Sequence, residues 1–164
     1  MTLDYDLRII QETRDVARKA KEAQAILATF TQEKLDEIVK AMCDAVVANA
    51  EWLARMACDE TKYGVYEDKI VKNTFAAKTV YEYIKDMKTT GFIAEDPVNK
   101  VYDVAVPVGV VMGIIPTTNP TSTLIHNAMC AVKAGNAIVF SPHPNAVKCS
   151  CAAAQVLQDA ASRV

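Results

Sequence analysis

The chain has 164 residues, 51% of them hydrophobic and 23% charged, which is typical of one folded domain or of part of a larger protein. The 18 Lys and Arg residues are balanced by 20 Asp and Glu residues, and a net charge of −2 argues against nucleic acid as a partner. The apolar runs are too short to cross a membrane, and the N-terminus, MTLDYDLRII, lacks the apolar core of a secretory signal. We therefore expect a cytoplasmic protein that binds neither nucleic acid nor membrane.

The five cysteines fit a reducing compartment. Their number is odd and no signal peptide precedes them, so we expect free thiols at Cys43, Cys58, Cys130, Cys149 and Cys151. The last two form a C-x-C pair, but no second pair completes the ligand set of a zinc site. We predict no metal.

Four helices are predicted for the first half of the chain. Residues 4–28 form an amphipathic helix that we expect to belong to the fold, with apolar positions at Ile9, Ile10, Val16, Ala20, Ala23 and Ile26. Thr31 is placed to cap a second helix through Val47. A third helix is predicted from Ala50 to about Lys62, and a fourth from Tyr66 to about Lys88.

The pattern changes near residue 96. The segment AEDPVN is predicted as a turn, and KVYDVAVPV and GVVMGIIP, rich in Val and Ile, as strands. The second strand is apolar at nearly every position, which favours a parallel strand covered on both faces. A helix is predicted from Pro120 to about Lys133 with Asn119 as its N-cap, then a short strand in AGNAIVFSP and a helix over residues 145–163.

This order predicts an α/β fold: a helical N-terminal half followed by part of a doubly wound, Rossmann-like parallel sheet. We divide the chain at the change in pattern, into a helical segment over residues 1–95 and a strand-turn-helix segment over residues 96–164.

Two turns at strand ends are candidate ligand sites. Ligands of open α/β sheets bind beyond the carboxyl ends of the strands. Two such ends occur, in IIPTTN (114–119) and VFSPHP (139–144), and each precedes a helix N-terminus that offers unpaired N–H groups to an anion. Neither turn matches a G-x-G-x-x-G motif or a P-loop. Spacing alone leaves open a cofactor cleft or two rigid connections.

Three segments carry a family resemblance: EDKIVKN, VAVPVGVVMGIIPTTNPTST and GNAIVFSPHPNAVK. Together they resemble the aldehyde dehydrogenase superfamily, and within it the CoA-acylating branch, over residues 20 to the end. The resemblance implies the reaction aldehyde + CoA + NAD⁺ ⇌ acyl-CoA + NADH, with NADP as an alternative cofactor. It also implies a short-chain aldehyde such as acetaldehyde, with succinate semialdehyde as an alternative, a homodimer or homotetramer, and a possible place in a bacterial microcompartment.

The resemblance also assigns site residues. It implies that the Asn119 side-chain amide donates to the oxyanion of the reacting carbonyl, against the alternative that Asn119 is a plain N-cap. Backbone at Ile115, Pro116, Thr117 and Thr118 would lie along the dinucleotide. Ser141, Pro142, His143 and Pro144 form the cofactor-side turn.

Two histidines and the cofactor preference need separate interpretation. Non-acylating relatives grip the adenosine ribose with a lysine and a glutamate where this chain has Ser141 and Pro144, which leaves NAD against NADP open. His143 contacts phosphate or merely caps the turn. We expect His126, inside a helix, to be packed.

The nucleophilic cysteine of the family lies well downstream of these motifs, in a separate catalytic domain. None of the five cysteines here occupies a matching motif. Cys149, beside Lys148 near a helix start, has the most favourable surroundings of the five. We predict that the catalytic cysteine domain is absent from this chain and that the chain alone is inactive. The competing hypothesis is a non-catalytic docking module that uses its amphipathic helices.

Overall fold

A computed structural model describes residues 4–164. The elements, in chain order, are α1 (Tyr5–Leu27), α2 (Gln32–Thr61), α3 (Tyr66–Thr74), a π-helical turn (Phe75–Thr79), α4 (Val80–Ile84), β1 (Gly91–Asp96), β2 (Val101–Ala105), β3 (Val110–Ile115), α5 (Pro120–Lys133), β4 (Ala137–Pro142), a 3₁₀ turn (Pro144–Ala146) and α6 (Val147–Ala161). This mostly helical chain with a β-α-β unit confirms the predicted α/β class. The division at residues 95 and 96 stays a prediction.

Helix α2 runs unbroken for 30 residues, so the break predicted between Val47 and Ala50 is wrong. No Pro or Gly interrupts this stretch, and Asn49 donates its side-chain amide to the Ala45 carbonyl within the helix at 2.8 Å. The N-cap prediction is confirmed, because Thr31 Oγ1 accepts from the Lys34 N–H at 3.3 Å.

The fourth predicted helix ends at Ile84 instead of near Lys88 and contains the π-helical turn. We find no signal in the sequence for that turn.

Helix α1 packs less closely than its amphipathic pattern predicts. Ile10, Val16 and Ile26 are 45%, 48% and 64% exposed. Its one buried residue among those described is Gln24, whose amide donates to the Gly135 carbonyl at 3.3 Å. The apolar face predicted for α1 is therefore open over the described residues. Among residues 4–164 we find no helix with the length and apolarity to cross a membrane.

A β-hairpin occupies the region where only a turn and one strand were predicted. β1 pairs antiparallel with β2, from Gly91 opposite Ala105 to Asp96 opposite Val101. The prediction that residues 94–99 form a turn is wrong for its first half, which lies in β1. The turn itself is residues 97–100, and Asp96 accepts hydrogen bonds from the N–H groups of Val98 and Asn99 at 2.9 and 3.0 Å.

β3 and β4 form the predicted parallel pair, in register from Val110 opposite Ala137 to Ile115 opposite Pro142. The strands lie close at Gly113, since a Cβ atom there would lie 3.0 Å from the Phe140 ring, which would have to shift to make room. The prediction that β3 is covered on both faces is wrong for the described residues. Helices cover the face that carries Ile115, whereas Met112 and Ile114 on the other face are 66% and 74% exposed.

The core lies between α2, α5 and α6 and includes Val39, Val46, Leu53, Leu124, Met129 and Leu157. At its edge, the buried Lys133 ammonium group donates to Asp36 Oδ1 at 2.5 Å and to the Lys85 carbonyl at 2.9 Å. The core holds both strand-to-helix turns at the carboxyl edge of the parallel pair.

Candidate functional site

The first turn connects β3 to α5 and presents Asn119. Pro120 is the first residue of α5, and the Thr123 N–H donates to the Asn119 carbonyl at 3.1 Å, so Asn119 occupies the N-cap position as predicted. Its side chain, however, makes no capping hydrogen bond. Instead, Asn119 Oδ1 accepts from Lys72 Nζ at 3.1 Å, and Nδ2 lies 3.5 Å from Thr118 Oγ1. The plain N-cap alternative therefore lacks the contact that defines a side-chain cap.

Helix α3 supports this turn from the helical half of the chain. Lys69, 4% exposed, donates its ammonium group to the Thr118 carbonyl at 3.0 Å, and burial lowers the pKa of that group. Asn73, 1% exposed, accepts from the Thr121 hydroxyl at 2.7 Å and donates to the Ala50 carbonyl at 3.2 Å. The turn is thus tied to α3 and, through Asn73, to α2.

A groove of about 500 Å³ opens beside Asn119. One wall comes from α5, and the other from α3, the π-helical turn and the start of α4. The lining residues are Val71, Lys72, Phe75, Ala76, Val80, Asn119, Ser122, Thr123 and His126. His126 is exposed and lines the groove, so the prediction that it is packed is wrong. A groove whose surface is mostly apolar, with polar groups at Lys72 and along α5, suits a small organic ligand.

The second turn follows β4, whose last residues are Ser141 and Pro142. The His143 N–H donates to the Ile115 carbonyl at 2.9 Å, which joins this turn to the end of β3. The His143 ring accepts from the Asn145 N–H at 3.1 Å, as the capping alternative for His143 predicts. Ser141, His143 and Pro144 are all exposed.

Among the four residues predicted to lie along the dinucleotide in the first turn, accessibility differs. The Ile115 side chain is buried, so only its backbone can face a ligand. Thr117 and Thr118 are half-buried, and Pro116 is exposed. Each assignment in this turn stays a prediction.

The helix N-terminus after the second turn is already occupied by a carboxylate. Glu60, near the end of α2, accepts from the N–H groups of Lys148 and Cys149 at 2.8 and 2.7 Å. Burial alone would raise the pKa of the Glu60 carboxyl, but these hydrogen bonds outweigh it and lower the pKa below its ordinary value. The expectation that α6 offers unpaired N–H groups to an anion is therefore wrong at these two residues.

Three of the five cysteines have a thiol pKa above the ordinary value, which disfavours the reactive thiolate form. Cys149 is buried, and burial together with the Glu60 carboxylate raises the pKa of its thiol to about 12, so the favourable surroundings inferred from Lys148 are wrong. Burial also raises the pKa of the Cys43 and Cys130 thiols.

Sequence reasoning missed the polar helix residues that contact these turns and helix starts: Lys69, Lys72 and Asn73 of α3, and Glu60 of α2. Lys72 belongs to the quoted segment EDKIVKN, but spacing alone does not show that it reaches Asn119, 47 residues away. No pattern in the sequence indicated Glu60.

The aldehyde dehydrogenase family model matches residues 10–162. Among curated proteins, the bifunctional aldehyde-alcohol dehydrogenase AdhE of Escherichia coli K12 is 41% identical over 152 residues, which are 93% of this chain and 17% of that protein. The acetylating succinate-semialdehyde dehydrogenase of Clostridium kluyveri is 44% identical over 137 residues, 84% of this chain and 30% of that one. The chain thus spans less than a third of the length of these relatives.

Solved structures of aldehyde dehydrogenases also resemble this chain. The acetylating aldehyde dehydrogenase of Geobacillus thermoglucosidasius is 54% identical with a TM-score of 0.95, over 99% of this chain and 36% of that one. More distant are two propionaldehyde dehydrogenases: one from a Clostridium phytofermentans bacterial microcompartment (32% identical, TM-score 0.73, 90% of this chain and 33% of that one), and one from Rhodopseudomonas palustris with bound CoA (28%, 0.75, 92% and 34%). The chain belongs to the aldehyde dehydrogenase family.

Proposed function

We propose that this chain is the N-terminal, cofactor-side part of a CoA-acylating aldehyde dehydrogenase, which converts aldehyde, CoA and NAD⁺ to acyl-CoA and NADH. The observation that carries the proposal is the Asn119 amide, which is held by Lys72 at the groove without capping α5. The names of the relatives support the acylating branch, and the catalytic cysteine would come from a part of the enzyme outside this chain.

The role of this part follows from the charge that develops during the reaction. A thiolate adds to the aldehyde carbon, and the carbonyl oxygen becomes an oxyanion that a rigid N–H donor stabilises. We assign that donor to Asn119 Nδ2. The nicotinamide cofactor supplies the acceptor for the hydride that leaves the adduct. The CoA thiolate would then attack the acyl carbon of the resulting cysteine thioester, forming acyl-CoA and releasing the cysteine thiolate.

For the cofactor we propose NAD, with NADP as the alternative. Backbone at Ile115, Pro116, Thr117 and Thr118 would lie along the dinucleotide, and Ser141, Pro142, His143 and Pro144 would form the adenosine side. The exposure of Ser141, His143 and Pro144 supports this assignment. None of these eight residues is acidic, so none of them would repel the 2′-phosphate of NADP. NADP therefore stays the alternative.

For the substrate we propose acetaldehyde or another short-chain aldehyde. The walls of the groove are largely apolar, with Val71, Phe75, Ala76 and Val80 opposite α5. Succinate semialdehyde is the alternative, since the Lys72 side chain also lines the groove and could pair with a carboxylate.

For assembly we propose a homodimer or homotetramer in the cytoplasm, with association to a bacterial microcompartment as the alternative location. The β1–β2 hairpin supports a subunit contact, because Phe92, Val101 and Val104 are 64%, 50% and 50% exposed. Light scattering of the complete enzyme at micromolar concentration should give at least twice the monomer mass, and a monomer would contradict this proposal.

The docking-module hypothesis is favoured by one observation, the exposed apolar face of α1. The docking-module hypothesis does not explain the hydrogen bonds around Asn119, whereas oxyanion stabilisation requires a rigidly held amide.

The proposed function is tested with the complete enzyme that contains this chain. NADH formation should be measured with acetaldehyde and with succinate semialdehyde, with and without CoA, and with NADP in place of NAD. We expect NADH and acyl-CoA to form in equal amounts. Sustained turnover should require CoA. Free acid as the product, or no turnover with either aldehyde, would contradict the acylating assignment.

A further inference from the structure

One face of α3 contacts three residues of the first turn and the start of α5: Thr118, Asn119 and Thr121. Lys69, Lys72 and Asn73 occupy positions i, i+3 and i+4, so their side chains project on the same side of the helix. Their partners are, in the same order, the Thr118 carbonyl at 3.0 Å, Asn119 Oδ1 at 3.1 Å and the Thr121 hydroxyl at 2.7 Å.

Of the three side chains, Lys72 differs in its surroundings. Lys69 and Asn73 are buried and hold backbone and hydroxyl groups beside Asn119, as structural residues do. Lys72 is exposed, lines the groove and contacts the Asn119 side chain itself. It is therefore the member of the three that faces both the groove and the functional amide.

The contact decides which way the Asn119 amide faces. An ammonium group only donates hydrogen bonds, so it must meet the amide oxygen and not the NH₂ group. With Oδ1 engaged by Lys72, Nδ2 points elsewhere, and its partner among the described residues is Thr118 Oγ1 at 3.5 Å, the outer limit of a hydrogen bond. At least one N–H of Nδ2 remains to donate to a ligand.

We propose that Lys72 is a positioning residue for the reaction: it holds the Asn119 amide with Nδ2 presented to the aldehyde oxygen, and its charge on Oδ1 strengthens that donor. Hydrogen bonds in series polarise one another, and a cation at the acceptor end increases the partial positive charge of the N–H at the other end. This inference rests on the proposed oxyanion role of Asn119.

The competing role for Lys72 is direct binding of an anion, either a substrate carboxylate or a CoA phosphate. The two roles act on different kinetic constants. A group that orients the oxyanion donor stabilises the transition state and lowers kcat when it is removed, whereas a group that binds a ligand throughout mainly changes KM.

The test compares Lys72→Met, Lys72→Arg, Asn119→Ala and the double variant Lys72→Met/Asn119→Ala in the complete enzyme, with acetaldehyde, CoA and NAD. Lys78→Met is the matched control, because Lys78 is exposed in the neighbouring π-helical turn and does not line the groove. Thermal unfolding of each variant shows whether folding is retained.

We expect Lys72→Met to lower kcat about tenfold with KM for acetaldehyde and CoA within about twofold, as for the loss of one charge-assisted hydrogen bond. Lys72→Arg should restore most of kcat, and Lys78→Met should leave it unchanged. The double variant should be no slower than Asn119→Ala alone, because Lys72 acts through Asn119.

The outcomes separate this inference from the proposed function. If Asn119→Ala keeps the wild-type kcat, the oxyanion role fails and the role of Lys72 fails with it. If Asn119→Ala is slow while Lys72→Met has normal kcat, only the inference about Lys72 is overturned. A double variant whose loss equals the product of the single losses, or a selective rise in KM, would instead assign Lys72 to direct ligand binding. If Lys72→Met does not fold, the same comparison is made with Lys72→Gln.

Discussion

The chain passes twice from a parallel strand into a helix, and the two passages differ in what lies against them. At the first, residues 116–119, helix α3 supplies Lys69, Lys72 and Asn73, and a groove opens beside Asn119. At the second, residues 143–146, helix α2 supplies a carboxylate that takes two N–H groups at the start of α6. The first passage presents the Asn119 amide as a hydrogen-bond donor. At the second, the N–H groups of Lys148 and Cys149 already donate to Glu60.

This difference shows that a strand followed by a helix N-terminus does not by itself make an anion site. The free N–H groups of a helix start attract any acceptor within reach, and a carboxylate of the same protein competes with a ligand. At α6 that carboxylate is Glu60. The helical half of the chain therefore supplies the side chain that holds the Asn119 amide at the first turn and the carboxylate that satisfies two N–H groups after the second.

The largest expected effect is a complete absence of turnover in the 164-residue chain on its own. Hydride leaves only after a thiolate has added to the carbonyl, and Cys149, the cysteine favoured by its sequence context, is buried with its pKa raised to about 12. NADH production from acetaldehyde and CoA is the assay, with each cysteine changed to serine in turn. Robust turnover that one of these five substitutions abolishes would place the nucleophile inside this chain.

The next effect concerns the first turn alone. In the complete enzyme, Asn119→Ala should lower kcat by about a hundredfold or more, since removal of one oxyanion donor has an effect of that size. Asn145→Ala is the control in the second turn, where the side chain is exposed, and its kcat should stay near that of the wild type. A normal kcat for Asn119→Ala with intact folding would remove the functional difference between the two turns.

Glu60→Ala should affect the second turn and leave kcat nearly unchanged. We expect a loss of about 1 kcal/mol in the free energy of unfolding, as for other lost helix caps. Urea unfolding of the complete enzyme measures this. Glu51→Ala is the control, because Glu51 is exposed in the middle of α2 and makes no hydrogen bond or ion pair with the described residues. If the variant gained affinity for inorganic phosphate, the α6 terminus would be an anion site that Glu60 blocks.

The same cap predicts a dependence of stability on pH. The pKa of Glu60 is lower in the folded protein than its ordinary value of 4.5, so its contribution is full above that value and is lost as the pH falls further. Glu60→Gln should flatten this part of the stability profile below pH 4.5. Equal acid sensitivity of the wild type and the variant would contradict the assignment of the cap.

The smallest effect is expected for His143→Ala. The ring accepts one exposed hydrogen bond from the Asn145 N–H, so its loss should lower stability by about 0.5 kcal/mol. A rise in KM for NAD by tenfold, with unchanged stability, would instead indicate that His143 contacts the nucleotide and does not merely cap the turn.

The elements that carry the site could be predicted from the sequence because their signals are local. Val and Ile runs bounded by Pro and Gly marked β2 and β3, the segment AGNAIVFSP marked the short strand β4, and Pro120 placed Asn119 at the start of α5. The environment of the turns could not be predicted in this way, because it depends on contacts between residues far apart, 47 positions for Lys72 with Asn119 and 88 for Glu60 with Lys148. The exposed faces of α1 and β3 likewise depend on tertiary packing that periodicity does not report.

The pairing of Glu60 with the start of α6 has a consequence for biosynthesis. At about 5–20 residues per second, a ribosome needs about 4–18 s to add the 88 residues that separate Glu60 from Lys148. For most of that interval α2 lacks α5, and for all of it α2 lacks α6, so Leu53 and Val46, which are fully buried in the finished fold, lack part of their final packing. We expect nascent chains arrested before α6 emerges from the ribosome to be cleaved within α2 by added protease, and chains arrested later to be protected.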